Sequence, residues 1–227
     1  MKCTTPITYY GGKQKKLNVL IPLVPPHQIY TEAYAGGAAL FFAQPKASCD
    51  VINDINDMLI NFYRVARSDY PGLKAEINNS LHSRSQFNKA RAIYCRPELY
   101  TAIEKAWSVW YLCKISFGAN MRNFGFNYRG NIPTVLANAK DRFTELIARK
   151  LEEVTLESKD GVSVIQKYDK PDTFHYIDPP YINTDCSSYS APFDETKLTE
   201  LLDLLVSIKG KFLMTMYSNH ILTKYIT

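Results

Sequence analysis

The stretch 27–68, HQIYTEAYAGGAALFFAQPKASCDVINDINDMLINFYRVARS, decides the fold. It opens with a short β-like piece, crosses Gly36-Gly37 and turns apolar at helical spacing up to residue 44. A second short strand, ASCDVINDIN (47–56), ends in acids, and DMLINFYRVARS (57–68) has a helical pattern. Strand, glycine turn, helix, strand, acid is the opening of a nucleotide-binding α/β unit. Strands joined by helices predict an α/β, doubly wound, Rossmann-like parallel sheet. The two glycines allow a tight turn and close approach of a ligand to the backbone. Neither G-x-G-x-x-G nor a P-loop is present, so a plain strand-to-helix turn stays open at this point.

The pattern changes after residue 69. PELYTAIEKAWSVWYLCKISF (97–117) and PTVLANAKDRFTELIARKLE (133–152) each read as one helix, the first with Pro97 at its start. Between them lies GANMRNFGFNYRGN (118–131), a long loop rich in Gly, Asn, Arg and aromatics, and a loop of that length needs a purpose. Strand signals return with EVTLES (153–158) and TFHYI (173–177), separated by a short helix, GVSVIQKY (161–168). FDETKLTELLDLLVSIKG (193–210) follows, with Asp194 a candidate N-cap and Gly210 a candidate C-cap, and then the strand KFLMTMY (211–217). A split catalytic domain is therefore expected, 1–60 and 151–227, around a helical domain at 61–150.

Charge is divided along the same lines. Residues 61–150 carry 15 Lys+Arg against 6 Asp+Glu, a net of +9, whereas the rest carries 12 against 16, a net of −4. A basic middle between acidic flanks suggests a segment that meets a polyanion, with a solvated helix surface as the other reading. No apolar run approaches a membrane span and the N-terminus has no apolar signal region. The five cysteines are scattered with no C-x-x-C pair, which argues against a metal knuckle or disulfide framework and fits a reducing, cytoplasmic location. No metal is expected.

The chemistry concentrates at strand ends. Asp54 terminates the second strand, where a carboxylate can accept hydrogen bonds from ribose hydroxyls or cap the next helix, a role Asp57 could equally fill. Asp160 stands in a similar place after EVTLESK, facing a ligand base or capping its own helix. Beyond TFHYI comes Asp178-Pro179-Pro180-Tyr181. Proline fixes φ and lacks an N–H, so this turn is stiff and rich in acceptors. An acid, a prolyl carbonyl and an aromatic face suit a planar base bearing an exocyclic amine; a bland turn is the alternative.

Together these segments resemble the Dam-like, D12 class family of DNA adenine-N6 methyltransferases. YYGGK (9–13) is similar to its N-terminal cofactor motif, EAYAGGAALFF to its S-adenosylmethionine motif and VINDIN to the strand that follows. SFGANMRNFGFNYRGNIPT is similar to a DNA-contacting loop, and DPPY to the catalytic motif. The order matches and covers essentially the whole chain. The resemblance implies that Tyr10 and Lys13 approach the methionine end of the cofactor, Lys13 pairing with its carboxylate. Tyr34, Ala35, Gly36 and Gly37 would line the cofactor turn, Asp54 would take the ribose and Asp160 the adenine amine. Asp178, expected against the cofactor as well, and the Pro179 carbonyl would hold the target N6 amine, with Pro180 stiffening the turn and Tyr181 stacking on the flipped adenine. Methylation at carbon 5 of a pyrimidine is not supported, since no Pro-Cys nucleophile is present.

Double-stranded DNA is the partner implied, and its target base must leave the stack for the amine to be reached. In the loop, Arg122 and Arg129 can meet phosphates or guanine edges, and Asn120 and Asn123 can pair with bases. Phe117, Met121, Phe124 or Tyr128 could act as a wedge, or be core residues of the helical domain. Family members usually continue into a last β-hairpin, so the final two strands are expected to be missing here, leaving an exposed sheet edge open to association. A DNA- or cofactor-binding remnant without activity, and the same chemistry on RNA or on a protein glutamine, are the competing readings.

Overall fold

The computed structural model describes residues 4–125, 132–182 and 193–226, the side chains of 132 and 133 excepted. Five strands form one parallel sheet: β1 (Ile29–Glu32), β2 (Cys49–Asn53), β3 (Thr155–Glu157), β4 (Thr173–Ile177) and β5 (Lys211–Met214). Their spatial order is β3-β2-β1-β4-β5. The chain therefore winds outward one way from β1, then returns to β4 on its other side and continues to β5. The reversal between β1 and β4 is the topological switch point, where ligands bind beyond the carboxyl ends of the strands in such sheets. Glu32 pairs with Tyr176 across it, so the EAYAGG and DPPY turns leave the sheet side by side. Among the described residues no strand lies beyond β5, whose Lys211 and Phe212 are exposed.

Ten helices are described: α1 (Leu17–Leu20), α2 (Ala39–Ala43), α3 (Asp57–Ser68), α4 (Tyr70–Asn78), α5 (Arg84–Cys95), α6 (Ala102–Ile115), α7 (Ile132–Arg142), α8 (Glu145–Leu151), α9 (Gly161–Tyr168) and α10 (Glu195–Leu205). α9 and α10 cover one face through Val162, Ile165, Leu198 and Leu201, which cluster with Ala33 and Ile177. The other face shares one buried cluster with the middle segment, joining Tyr30, Ile52 and Phe174 of the sheet to Phe62 of α3 and Trp110 of α6. α6 is buried continuously from Ala106 to Cys113, so it is the central post of the helical segment. The 60/61 boundary expected from composition falls inside α3, whose apolar side joins both parts.

Local chemistry explains where the elements begin and end. α3 is capped by Asn56, whose side chain accepts from Met58 N–H at 3.2 Å, and not by Asp54 or Asp57. α6 starts at Ala102 rather than Pro97, because Thr101 and Glu104 form a reciprocal capping box after a short 3-10 turn at Pro97–Leu99. The single helix expected over 133–152 is two: Phe143 turns into the core, stacks on Tyr70 at 5.5 Å and gives its carbonyl to the Tyr70 hydroxyl. Asp194 caps α10 as expected, accepting from Lys197 N–H at 3.0 Å. Gly210 is not the C-cap. α10 ends at Leu205, and the Gly210 N–H instead donates to Asp169 Oδ1 at 2.8 Å, tying the start of β5 to the start of β4. None of the described helices is long and apolar enough to cross a membrane.

Candidate active site

A cavity of about 430 Å³ opens at the switch point. Every residue expected for cofactor and catalysis lines it: Tyr10 and Lys13, Tyr34 to Gly37, Asp54, Asp160, and Asp178 to Tyr181. These positions are up to 171 residues apart in the chain (10 to 181), and the parallel sheet gathers them because each follows a strand or packs on a strand end.

The glycine turn forms the floor. Gly36 has φ +47°, a left-handed conformation that disfavours any side chain, and an added Cβ would sit 3.0 Å from the Tyr9 ring. Its N–H donates to Asp54 Oδ2 at 2.9 Å, and Asp54 Oδ1 accepts from Asn56 N–H at 3.0 Å. Asp54 thus ties the β1 turn to the β2 turn, and each oxygen keeps a second lone pair for a ligand. Burial raises its pKa, against the lowering effect of those two hydrogen bonds. Asp160 caps α9, its Oδ1 accepting from Val162 N–H at 3.0 Å, and the residue also lines the cavity.

Gly161 is a site residue that sequence reasoning missed. A Cβ there would lie 2.7 Å from Tyr34 Cε1 and closer still to Cζ, so only glycine lets α9 start against the Tyr34 ring. Tyr34 in turn meets Phe193 edge-on at 6.0 Å. A Gly161→Ala exchange should push the Tyr34 ring off its seat in the cavity wall. Affinity for a bound cofactor, measured by calorimetry, should fall about tenfold or more, the scale of one displaced packing contact. Unchanged affinity would show that the ring does not shape the ligand seat.

Asp178 is the centre of the polar network. Its Oδ2 accepts from the Lys13 ammonium at 2.6 Å, and its Oδ1 accepts from Thr215 Oγ1 at 2.6 Å and the Tyr181 hydroxyl at 3.2 Å. Both members of the ion pair are largely buried, with side-chain exposures of 15% and 17%. Burial, the largest influence, raises the Asp178 pKa in spite of Lys13, Thr215 and Tyr181, all of which lower it. Lys13 stands above its ordinary value as well: burial lowers it, but the charge and hydrogen bond of Asp178 outweigh that. The Lys13 ammonium also lies 5.2 Å from the centre of the Tyr181 ring. A nitrogen donor therefore rests on the carboxylate beside the aromatic face, and Lys13 is committed to Asp178 here rather than left for a cofactor carboxylate.

Two more residues join the site without having been singled out from sequence. Tyr217, just past β5 and exposed, meets Tyr181 edge-on at 4.8 Å and lines the cavity. Glu32, at the end of β1, is 1% exposed. Its Oε1 accepts from the Tyr30 hydroxyl at 2.6 Å and from Phe41 N–H at 2.7 Å, yet burial pushes its pKa up to about 7. The only early signal was its position, an acid ending an apolar strand directly before a glycine turn.

The described part of the expected DNA loop, up to Gly125, leaves α6 through a 3-10 turn at Phe117–Ala119 and folds back in an isolated antiparallel bridge between Ser116 and Phe124. Phe117 is 72% exposed, and Arg122 and Asn123 are exposed beside it. Asn120 has turned its side-chain oxygen inward to accept from the Arg122 and Asn123 N–H groups at 2.9 and 3.1 Å, so it shapes the loop. Met121, expected at a DNA surface, is buried at 9%; its φ of 56° and the Arg91 guanidinium on its carbonyl at 2.9 Å hold it against the helical core. Phe124 packs on His82 at 4.8 Å under Arg84, and is likewise a supporting residue. Arg129 and Tyr128 lie outside the described residues. No group of three or more metal-binding side chains is assembled among the described residues.

Comparison with known proteins identifies the family. The chain is 24% identical over 235 residues to the Type II methyltransferase M.CviBI of Paramecium bursaria Chlorella virus NC1A, covering 96% of this chain and 88% of that protein. The model of one family, D12 class N6 adenine-specific DNA methyltransferase, matches residues 9–227, which takes in the YYGGK segment, both strand-end turns and the helical middle. This chain belongs to the D12 class of N6 adenine-specific DNA methyltransferases.

Proposed function

We propose that this protein transfers a methyl group from S-adenosylmethionine to the N6 amine of an adenine turned out of duplex DNA. The observation that carries the reading is the position of Asp178. It stands at the sheet's switch point, between a glycine-floored cavity and an aromatic pair, with acceptor capacity directed to where an amine would lie.

The residues present fit the cofactor. The left-handed Gly36 leaves the cavity floor bare of side chains. Asp54 would offer lone pairs to ribose hydroxyls, Asp160 an oxygen to an adenine amine, and Tyr10 and Lys13, which line the same cavity, would hold the methionine end. The cofactor supplies an electrophilic methyl group carried on positively charged sulfur. The chain's own work is done on the target amine. Asp178 and the Pro179 carbonyl each accept one N–H, which draws the nitrogen lone pair out of conjugation with the ring and aims it at the methyl group; once nitrogen carries the methyl group, its surplus proton leaves along the hydrogen bond to Asp178. Tyr181 offers its face to the base, and Tyr217 supports that ring edge-on. Lys13 would hold the cofactor carboxylate, giving up its present partner, Asp178, to the amine. The electrostatic gain is large because Asp178 is held in place beforehand and shielded from water.

Access to the amine in a duplex requires base flipping. Among the described residues of the loop, Phe117 is the exposed aromatic available to fill the space left in the stack, and Arg122 and Asn123 lie beside it for phosphate or base contacts. Tritium transfer from labelled S-adenosylmethionine to duplex DNA, with N6-methyladenine recovered on digestion, tests the function directly. Retained DNA binding without transfer would instead indicate a binding protein.

Salt supplies a separate check on the DNA surface. With several Lys and Arg of residues 61–150 on phosphates, affinity for non-target DNA should drop on the order of 10³-fold between 50 and 200 mM salt. A flat response, read by fluorescence anisotropy, would remove this segment from the interface.

A further inference from the structure

We propose that Thr215 is a positioning residue for the transfer, holding Asp178 so that Oδ2 and not Oδ1 receives the target amine. The inference rests on the reading of Asp178 given above and adds a residue just past the neighbouring edge strand, β5.

Backbone pairing places Thr215. Met214 pairs with Ile177 in the β4–β5 ladder, and the Thr215 N–H donates to the Ile177 carbonyl at 2.9 Å, one step beyond. That bond sets Thr215 beside Asp178, the first residue past β4. The Thr215 hydroxyl then donates to Asp178 Oδ1 at 2.6 Å. An ionised carboxylate only accepts, so the hydroxyl hydrogen must point at Asp178. The Thr215 oxygen is left to accept from the Tyr176 hydroxyl, 3.3 Å away. Tyr176 is 4% exposed, and burial raises its pKa, so it keeps its proton. Hydrogen bonds thus run one way, from Tyr176 through Thr215 to Asp178.

The consequence is an asymmetric carboxylate. A carboxylate oxygen offers about two lone-pair sites. Oδ1 already accepts from Thr215 and Tyr181, whereas Oδ2 accepts from Lys13. The open site is on Oδ2, on the side where Lys13 and the Tyr181 ring meet. Without the Thr215 hydroxyl, Oδ1 regains a site and the carboxylate gains freedom to rotate, so the amine is held in competing orientations.

The test compares Thr215→Val, which keeps the shape and removes the donor, with Thr215→Ser, which keeps the donor. Both are measured beside wild type and Asp178→Ala for methyl transfer to duplex DNA and for calorimetric binding of S-adenosylmethionine. The valine variant should lose about tenfold or more in kcat, the value of one hydrogen bond to a charged group, with KM for DNA and cofactor affinity little changed. Its acid limb in the kcat profile should move to higher pH, because a donor that favours ionised Asp178 is gone. The serine variant should restore both rate and profile. Wild-type rate and profile in Thr215→Val would overturn the proposal, as would a serine variant as slow as the valine one, which would mean that the side chain only packs. If the valine variant fails to bind cofactor, Thr215→Ala, which only deletes atoms, is read by the same two outcomes. No transfer by wild type, or transfer by Asp178→Ala at the wild-type rate, overturns the parent reading of Asp178 and this inference with it; a Thr215 result alone leaves that reading standing.

Discussion

Asp178→Ala should lose methyl transfer by about 10³-fold or more while binding S-adenosylmethionine as wild type does. The split follows from the geometry. The carboxylate touches Lys13, Thr215 and Tyr181, whereas the glycine floor and the Asp54 and Asp160 seats are built from other strands. The substitution removes the acceptor for the amine and leaves the cofactor cavity walls in place. It also leaves the Lys13 ammonium, 15% exposed, without its counter-charge, so some stability is lost. Asp178→Asn separates the two effects, since it keeps an acceptor oxygen and the shape. Single-turnover transfer and calorimetry read the outcome; loss of both activities in Asp178→Ala would contradict the division of labour. Burial raises Asp178 above its ordinary value in the ligand-free protein, so the acid limb of kcat/KM should lie above the usual aspartate range.

The second large effect concerns stability and pH. Glu32 has an ordinary pKa of 4.5 and is pushed up to about 7 in the folded protein. The unfolded chain therefore releases this proton first. Below pH 4.5 both states are protonated and nothing is lost; between 4.5 and 7 the unfolded state alone is ionised and stability falls as pH rises; above 7 the loss is complete. The decline attributable to Glu32 is on the order of 3 kcal/mol. Glu32→Gln should abolish it. Both donors to Glu32, Tyr30 and Phe41, bind Oε1, and a glutamine oxygen can accept both. Urea midpoints of the two proteins should differ little at pH 4.5 and diverge towards pH 8, with the variant the more stable. Parallel pH curves would show that Glu32 ionises normally in the folded state.

Stability is thus given up at the site, where a buried acid sits at the end of β1 next to the Asp178 turn. The neighbouring contacts compensate locally: Phe41 N–H, at the start of α2, and the Tyr30 ring both lie on Glu32, so the acid also fixes where the first helix leaves the glycine turn.

Much of the protein was legible in the linear sequence because it depends on local rules. Alternation and apolar runs marked every strand, and TFHYI and DMLINFYRVARS coincide with β4 and α3 to the residue. The order strand, glycine turn, helix, strand, acid determined a doubly wound sheet, and such a sheet gathers its turns at one edge. That is why the residues expected at 10–13, 34–37, 54, 160 and 178–181 all line one cavity. Where expectation failed, a distant partner had outweighed local preference: the Tyr70 hydroxyl on the Phe143 carbonyl split a continuous helical pattern, Arg91 on the Met121 carbonyl turned an expected wedge inward, and Asp169 took the N–H of Gly210.

The sequence by itself determined the fold class, the switch point and the acid at its centre. Tertiary structure alone decided what that acid touches. Lys13 reaches Asp178 across 165 residues and Thr215 across 37, while Tyr217 closes on Tyr181 from the end of another strand. Periodicity says which face of a strand is buried, but it carries no record of which strands become neighbours. Hydrogen bonds of 2.6 Å between side chains exist only once the β1–β4–β5 register has brought their backbones together.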